Sequence, residues 1–469
     1  MVMFMNNYLD QLKKMFENAF DVKYREIDTP LGKATLVFID VLCSSAFISE
    51  YIVTPLTYKN YQVKNTDDIL KQVIRMNLAG TVKDIEDAQM HILMGDVVIV
   101  FDNNQSMIYC ETKGYVRRGI GVPLTEAVVK GPREGFSEAF VDNVALIRRR
   151  VKNANLKLEP LILGKESNTS VCIAYLKGVA PDNLVQKVKD KIKESNYNFL
   201  LDTNYIENTL TENRSLFDTI GYTEKPDEIS AKIMEGRVAI IVDGTPFVVT
   251  VPYFFVENFQ TPDDYYLNRY FANFTRILRW SAFFIAMFLP ALYVAFITYH
   301  FGMIPTMFIF RMAVARAGVP FPTFIEVILM MLFFQLIKEA GLRLPQPIGS
   351  AMSIVSALIL GEAAVGAGLA SRVTILVVAI STLSYFLIPK TYGAISLWSI
   401  ILVIVASLFG IPGFIIGSMI LTSHLASLQS CGYSFLFPLG SIRRYGFRDV
   451  ILRGNLEDIS KDVIKDEEE

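Results

Sequence analysis

Cysteine and histidine are scarce: the 469 residues hold four cysteines and three histidines. Cys43, Cys110, Cys172 and Cys431 lie far apart and form no CxxC, which excludes a zinc ribbon, a disulfide scaffold and a thioredoxin-type site. His91, His300 and His424 are too dispersed for a histidine metal cluster, so neither a metal nor a cofactor is expected. A basic excess is also missing. Lys and Arg total 45 against 47 Asp and Glu, and the net charge of −2 gives nucleic acid no electrostatic footing. No Ser/His/Asp, Cys/His or HExxH arrangement occurs, and an enzyme is the weaker class. Met1–Asp10 lacks the basic start and apolar run of a signal peptide.

Charge itself is missing over one long stretch. Residues 281–440 carry only Arg311, Arg316, Glu326, Lys338, Glu339, Arg343, Glu362, Arg372 and Lys390. A chain that excludes charge over such a length avoids water, and the stretch divides into membrane-length pieces. These are about 278–299, 323–336, 348–369, 373–389 and 394–428. The last is about 52 Å long as a helix and is broken by Gly410-Ile-Pro-Gly413, which fits either a helical hairpin or one crossing with a re-entrant piece. Arg269, Arg276 and Arg279 precede the stretch, and Arg443, Arg444, Arg448 and Arg453 follow it. The positive-inside rule puts both flanks in the cytosol and requires an even number of crossings.

What precedes the stretch reads as an α/β region with an internal duplication. Ile92–Asp102 aligns with Ile233–Asp243, each a helix end, a glycine, a buried strand and a turn with Asp. The expected organisation is two related α/β subdomains at 1–150 and 151–265, a helical multi-pass membrane domain at 278–428, and a charged cytosolic tail at 429–469. Gly164-Lys165-Glu-Ser167 lacks the first glycine of a phosphate loop and reads as a surface turn. Asp243-Gly-Thr-Pro246 reads as a hairpin turn.

Three places are candidate functional residues. Arg148, Arg149 and Arg150 form a basic cluster for an interface with another subunit, acidic lipid or the neighbouring subdomain. Glu326 is a carboxylate inside an apolar segment, costly unless it meets water or a partner. The segment 348–369 is rich in Gly, Ala and Ser and also carries Glu362. Small residues allow tight helix packing. With Ser353 and Ser356 on a shared face, they equally fit a helix lining a water-filled path, with Glu362 near its mouth.

Several segments together carry a resemblance: 131–140 (GPREGFSEAF), 143–150 (NVALIRRR), 235–246, 262–266 (PDDYY), 289–295, 318–322 (GVPFP), 339–349 and 354–365. The chain resembles the A subunits of bacterial spore nutrient-germinant receptors, the GerA family. Met331 and Gln335 stand where that pattern has further carboxylates, and Glu362 where it often has Gln. The resemblance implies a spore inner-membrane complex with a transporter-like B subunit and a lipoprotein C subunit, in which the A subunit forms a homo-oligomeric, nutrient-gated ion channel. The alternatives are a non-conducting assembly and signalling scaffold of the receptor, and a paralogue of the similar stage V sporulation protein AF type that amplifies germination.

Overall fold

The computed structural model describes residues 8–58, 61, 63–102, 106–114, 126, 128–344, 355, 359–440, 449–460 and 464. Two five-stranded sheets form the N-terminal half. Val22–Thr29 (β1), Gly32–Ile39 (β2), Ala79–Val82 (β3), Asp96–Phe101 (β4) and Met107–Glu111 (β5) make the first sheet. Leu156–Leu163 (β6), Thr169–Leu176 (β7), Gly221–Thr223 (β8), Val238–Val242 (β9) and Val248–Val251 (β10) make the second. Their orders, β1-β2-β4-β5-β3 and β6-β7-β9-β10-β8, are the same arrangement twice, and every pairing is antiparallel.

The aligned segments occupy equivalent places. Helix Ile85–Met94 (α1) ends at Gly95 with φ 87°, and β4 follows. The matching helix Pro226–Met234 precedes Gly236 with φ 94°, and β9 follows. In both, the left-handed turn ends the helix and reverses the chain into a wholly buried strand, a conformation glycine adopts without strain. The Gly164 segment is the turn between β6 and β7, and Asp243-Gly-Thr-Pro246 lies between β9 and β10.

Two segments pack differently from the expected organisation. Helix Phe140–Arg150 (α2) ends at position 150, yet its Val144, Leu146 and Ile147 lie in the core of the second sheet with Leu156 and Ile229. Ala145 alone joins the first unit's core. Position 150 is thus a helix end inside the second layer. The tail also begins inside that unit: Cys431, Tyr433 and Val450 fill its core, and Phe435 O accepts from Phe255 N.

The helical half contains Arg269–Thr298 (α3), Thr306–Arg316 (α4), Thr323–Arg343 (α5), a helix at 359–366 (α6), Arg372–Tyr385 (α7) and Tyr392–Ser427 (α8). Among the described residues, two stretches are long and apolar enough to cross a membrane, Arg269–Thr298 and Pro389–Ser427. The second is bent at Gly410 (φ 65°, ψ −142°) into two arms that run back on each other. Trp398 meets His424 with ring centroids 5.8 Å apart, and a Cβ at Gly417 would come within 2.8 Å of Leu402. The bend touches the end of α3, where the Tyr299 hydroxyl donates to Ser407 O at 2.9 Å.

These contacts define two ends. Trp280, early in α3, stacks on Phe259 of the N-terminal half at 3.7 Å, and the returning arm of α8 reaches Asn213, which donates to Ser427 O at 3.3 Å. The far end holds Tyr299, the bend at Gly410 and α4. Helix α5 starts at the far end and α7 returns from it toward Lys390, which ion-pairs with the N-terminal half.

Candidate functional site

Glu326 is completely buried at the far end of the helical bundle. One carboxylate oxygen accepts from Ser371 N at 2.9 Å and Thr374 Oγ1 at 2.9 Å. The other faces Arg316, with Nη2 at 3.2 Å and Nε at 3.3 Å. Tyr293 on α3 closes the cluster, its hydroxyl 3.1 Å from Thr374 Oγ1. Ser371 caps the N-terminus of α7, where the helix dipole favours a negative charge. Burying an unpaired carboxylate is prohibitive, and here α4 and α7 supply its direct partners while α3 supplies Tyr293 behind them.

Glu362 has a different setting. It is exposed on α6, on one face with Ile359, Ala363 and Gly366, all exposed. Ser353 and Ser356 lie outside the described residues. The face is therefore apolar except for one carboxylate, which needs water or a cation on a partner.

The basic cluster is divided. Arg148 is fully buried and holds both oxygens of Asp21, at 2.9 and 2.8 Å, while its Nη1 donates to Leu156 O at 3.3 Å. It joins the two sheet units within one chain and is closed to lipid or another subunit. Arg150 and Arg149 pair with Glu134 at 2.6 and 3.4 Å.

Two further clusters sit at the seam between the halves. Asp264 is held by Arg276 Nε at 3.1 Å and Arg279 Nη1 at 3.0 Å, both from the first turns of α3. Asp449 joins it, 2.6 Å from Arg276 Nη1, and Arg453 Nη1 donates to Asp264 O at 2.6 Å. The basic residues that mark topology in the sequence thus also clamp the tail to the start of α3. Second, Lys390 Nζ lies 2.9 Å from Glu126 and 3.8 Å from Glu228. Lys232 bridges Glu228 at 2.9 Å and Glu257 at 3.2 Å, and Arg237 lies 2.5 Å from Glu257. Burial pushes the Glu257 carboxyl upward, but Arg237 and Lys232 outweigh it and hold it below the usual range. Glu228 is lowered in the same way, against its burial, by Lys232 and Lys390. Sequence reasoning passed over Lys390 and Asp264 as site residues. The available signal was a lone lysine directly after Pro389, where an apolar segment ends.

Residues 10–463 match the family described as Bacillus/Clostridium GerA spore germination protein. The chain belongs to the GerA family of spore germination proteins. It is 35 % identical to spore germination protein KA of Bacillus subtilis (strain 168) over 454 residues, 94 % of this chain and 83 % of that one. It is likewise 35 % identical to the uncharacterized membrane protein YfkQ of the same organism over 450 residues, 95 % and 88 % of the two chains. It is also similar to the N-terminal domain of the A subunit of the Bacillus megaterium spore germinant receptor GerK3, at 24 % identity and a TM-score of 0.41, covering 53 % of this chain and 94 % of that one.

Proposed function

We propose that this chain is the ion-conducting A subunit of a nutrient-germinant receptor in the spore inner membrane, assembled as a homo-oligomer with a transporter-like B subunit and a lipoprotein C subunit. The helical half is read as a multi-pass membrane domain with both ends on the spore-core side. The shared near end of α3, Lys390 and Ser427 supports an even number of crossings. Residues 1–265 are read as two related core-side subdomains.

The observation that carries the reading is the exposed Glu362 on the otherwise apolar exposed face of α6. A carboxylate at membrane depth is stable where water reaches it, and such a position attracts cations. Copies arranged with this face inward would put Glu362 at the mouth of a path, for which Ser353 and Ser356, on a face of their own in the sequence, are the proposed lining residues. The outer face of the bundle, including Phe284, Leu332, Ile404 and Met419, is exposed and apolar as lipid contact requires. The test is cation flux in vesicles carrying the chain with its co-expressed B and C subunits. Flux that slows with Glu362→Lys at unchanged complex content, more at low salt than at high salt, supports conduction by this chain. Flux indifferent to the substitution assigns the chain to a non-conducting scaffold.

A further inference from the structure

Lys390 is a fully engaged cation at a mechanical junction. It sits in the turn Pro389–Thr391 that links α7 to the first arm of α8. Its amine leaves the helical half and enters the N-terminal half, between Glu126 at 2.9 Å and Glu228 at 3.8 Å. Glu126 is itself fixed to the second sheet: it accepts from the Thr223 hydroxyl, and from Glu224 N at 3.1 Å. Glu228, in the helix Pro226–Met234, passes the pairing on through Lys232 and Glu257 to Arg237. At its far end α7 starts at Ser371 and Thr374, the two donors that hold Glu326. Helix α7 and the turn that follows it therefore run from the buried Glu326 cluster to the N-terminal half's carboxylates. Beside the lysine lies a cavity of about 10 Å³ lined by Asp218, Ile220, Tyr222, Tyr253 and Asn258, close to the room for one water. The amine thus borders space rather than a fully packed wall.

We infer that Lys390 is the positioning residue through which movement of the second α/β unit reaches α7 and, through it, the Glu326 cluster. The inference rests on the receptor reading above, but not on which helix lines the ion path. A buried pair of this kind has two separable roles. Removing one partner leaves a buried charge unpaired and harms folding, whereas neutralising both sides restores packing. Coupling is different: a neutral contact no longer transmits a pull between the halves, so the response stays impaired after folding is restored.

The experiment uses spores carrying the full receptor, with receptor level measured by immunoblot. Germination is triggered by graded dilutions of one mixture of amino acids, sugars and nucleosides. Lys390→Met alone should lower receptor level. Lys390→Met with Glu126→Gln and Glu228→Gln should recover the level but need about tenfold or more nutrient for half-maximal response. Lys390→Arg, which keeps the charge, should recover both. A neutral triple variant with a wild-type dose response overturns the inference, because the lysine is then a packing staple. Poor receptor level in the triple and the arginine variants also overturns it, because the pair then serves folding alone. Potassium release from Glu362→Lys spores, measured alongside, separates the two readings. Normal release there with a shifted Lys390 dose response removes the conduction reading and leaves the coupling intact. The opposite pattern removes the coupling.

Discussion

Arg148 and Asp21 form a bidentate ion pair in which neither side chain retains any exposure, with Nη2 2.8 Å from Oδ1 and Nε 2.9 Å from Oδ2. They are 127 residues apart and tie the start of the first sheet unit to the helix packed on the second. The pair fixes how the two units meet.

Arg148→Ala should therefore destabilise the N-terminal half strongly, by about 3–5 kcal/mol, since Asp21 would be left buried and unpaired. The double variant Arg148→Met, Asp21→Leu should lose far less. Denaturant melting of the N-terminal half reads both. Equal losses in the single and double variants would show that the charge pairing is not what matters.

Residues 1–262 should fold without the rest of the chain, because each sheet has its own two-sided core. The second unit should be the weaker one, since Cys431, Tyr433 and Val450 are missing from its core. Amide hydrogen exchange should show slow exchange in β4 and faster exchange in β9 than in the full chain. An insoluble or molten product of that length would contradict the boundary.

Glu207 should make the N-terminal half less stable as pH rises. Its carboxyl is pushed up to about 7 by burial, with Asp218 and Asp202 adding repulsion. An acid with a raised folded pKa favours folding while it is protonated in both states. That advantage is lost as pH rises from the ordinary carboxylate value to about 7. Glu207→Gln should raise the melting temperature at pH 8 by about 3 °C or more and change little at pH 4. A variant with the wild-type pH slope would rule out this origin.

Glu326→Gln keeps the shape of the buried carboxylate but leaves Arg316 without its counter-charge and Thr374 and Ser371 with a weaker acceptor. It should lower receptor abundance, and Glu326→Ala should lower it further. Immunoblots of spore membranes provide the measurement; full abundance in both variants would remove the cluster's structural role.

Much of this arrangement was legible because its signals are local. The aligned glycines at 95 and 236 mark equivalent helix ends, and the pattern around Gly410-Ile-Pro-Gly413 marks the bend. What stayed hidden depends on long-range pairing. Nothing near Lys390 points to Glu126, and nothing near Asp449 points to Arg276, 173 residues away. The run Arg148-Arg149-Arg150 reads as one patch in sequence, but helical rotation of about 100° per residue sends the first inward and leaves its neighbours at the partly exposed Glu134. The tail was similarly opaque: its charged end dominates the composition, while Cys431, Tyr433 and Val450 decide where it docks.

The most direct test of conduction by this chain is ion release together with complex abundance in two variants, Ser356→Leu and Glu362→Lys. Conduction along the 348–369 segment predicts that both assemble normally. Ser356→Leu should then block release by narrowing the path. Glu362→Lys should slow cation release by repulsion, more at low salt than at high salt. Normal release from normally assembled complexes of both variants would contradict a pore lined by this segment.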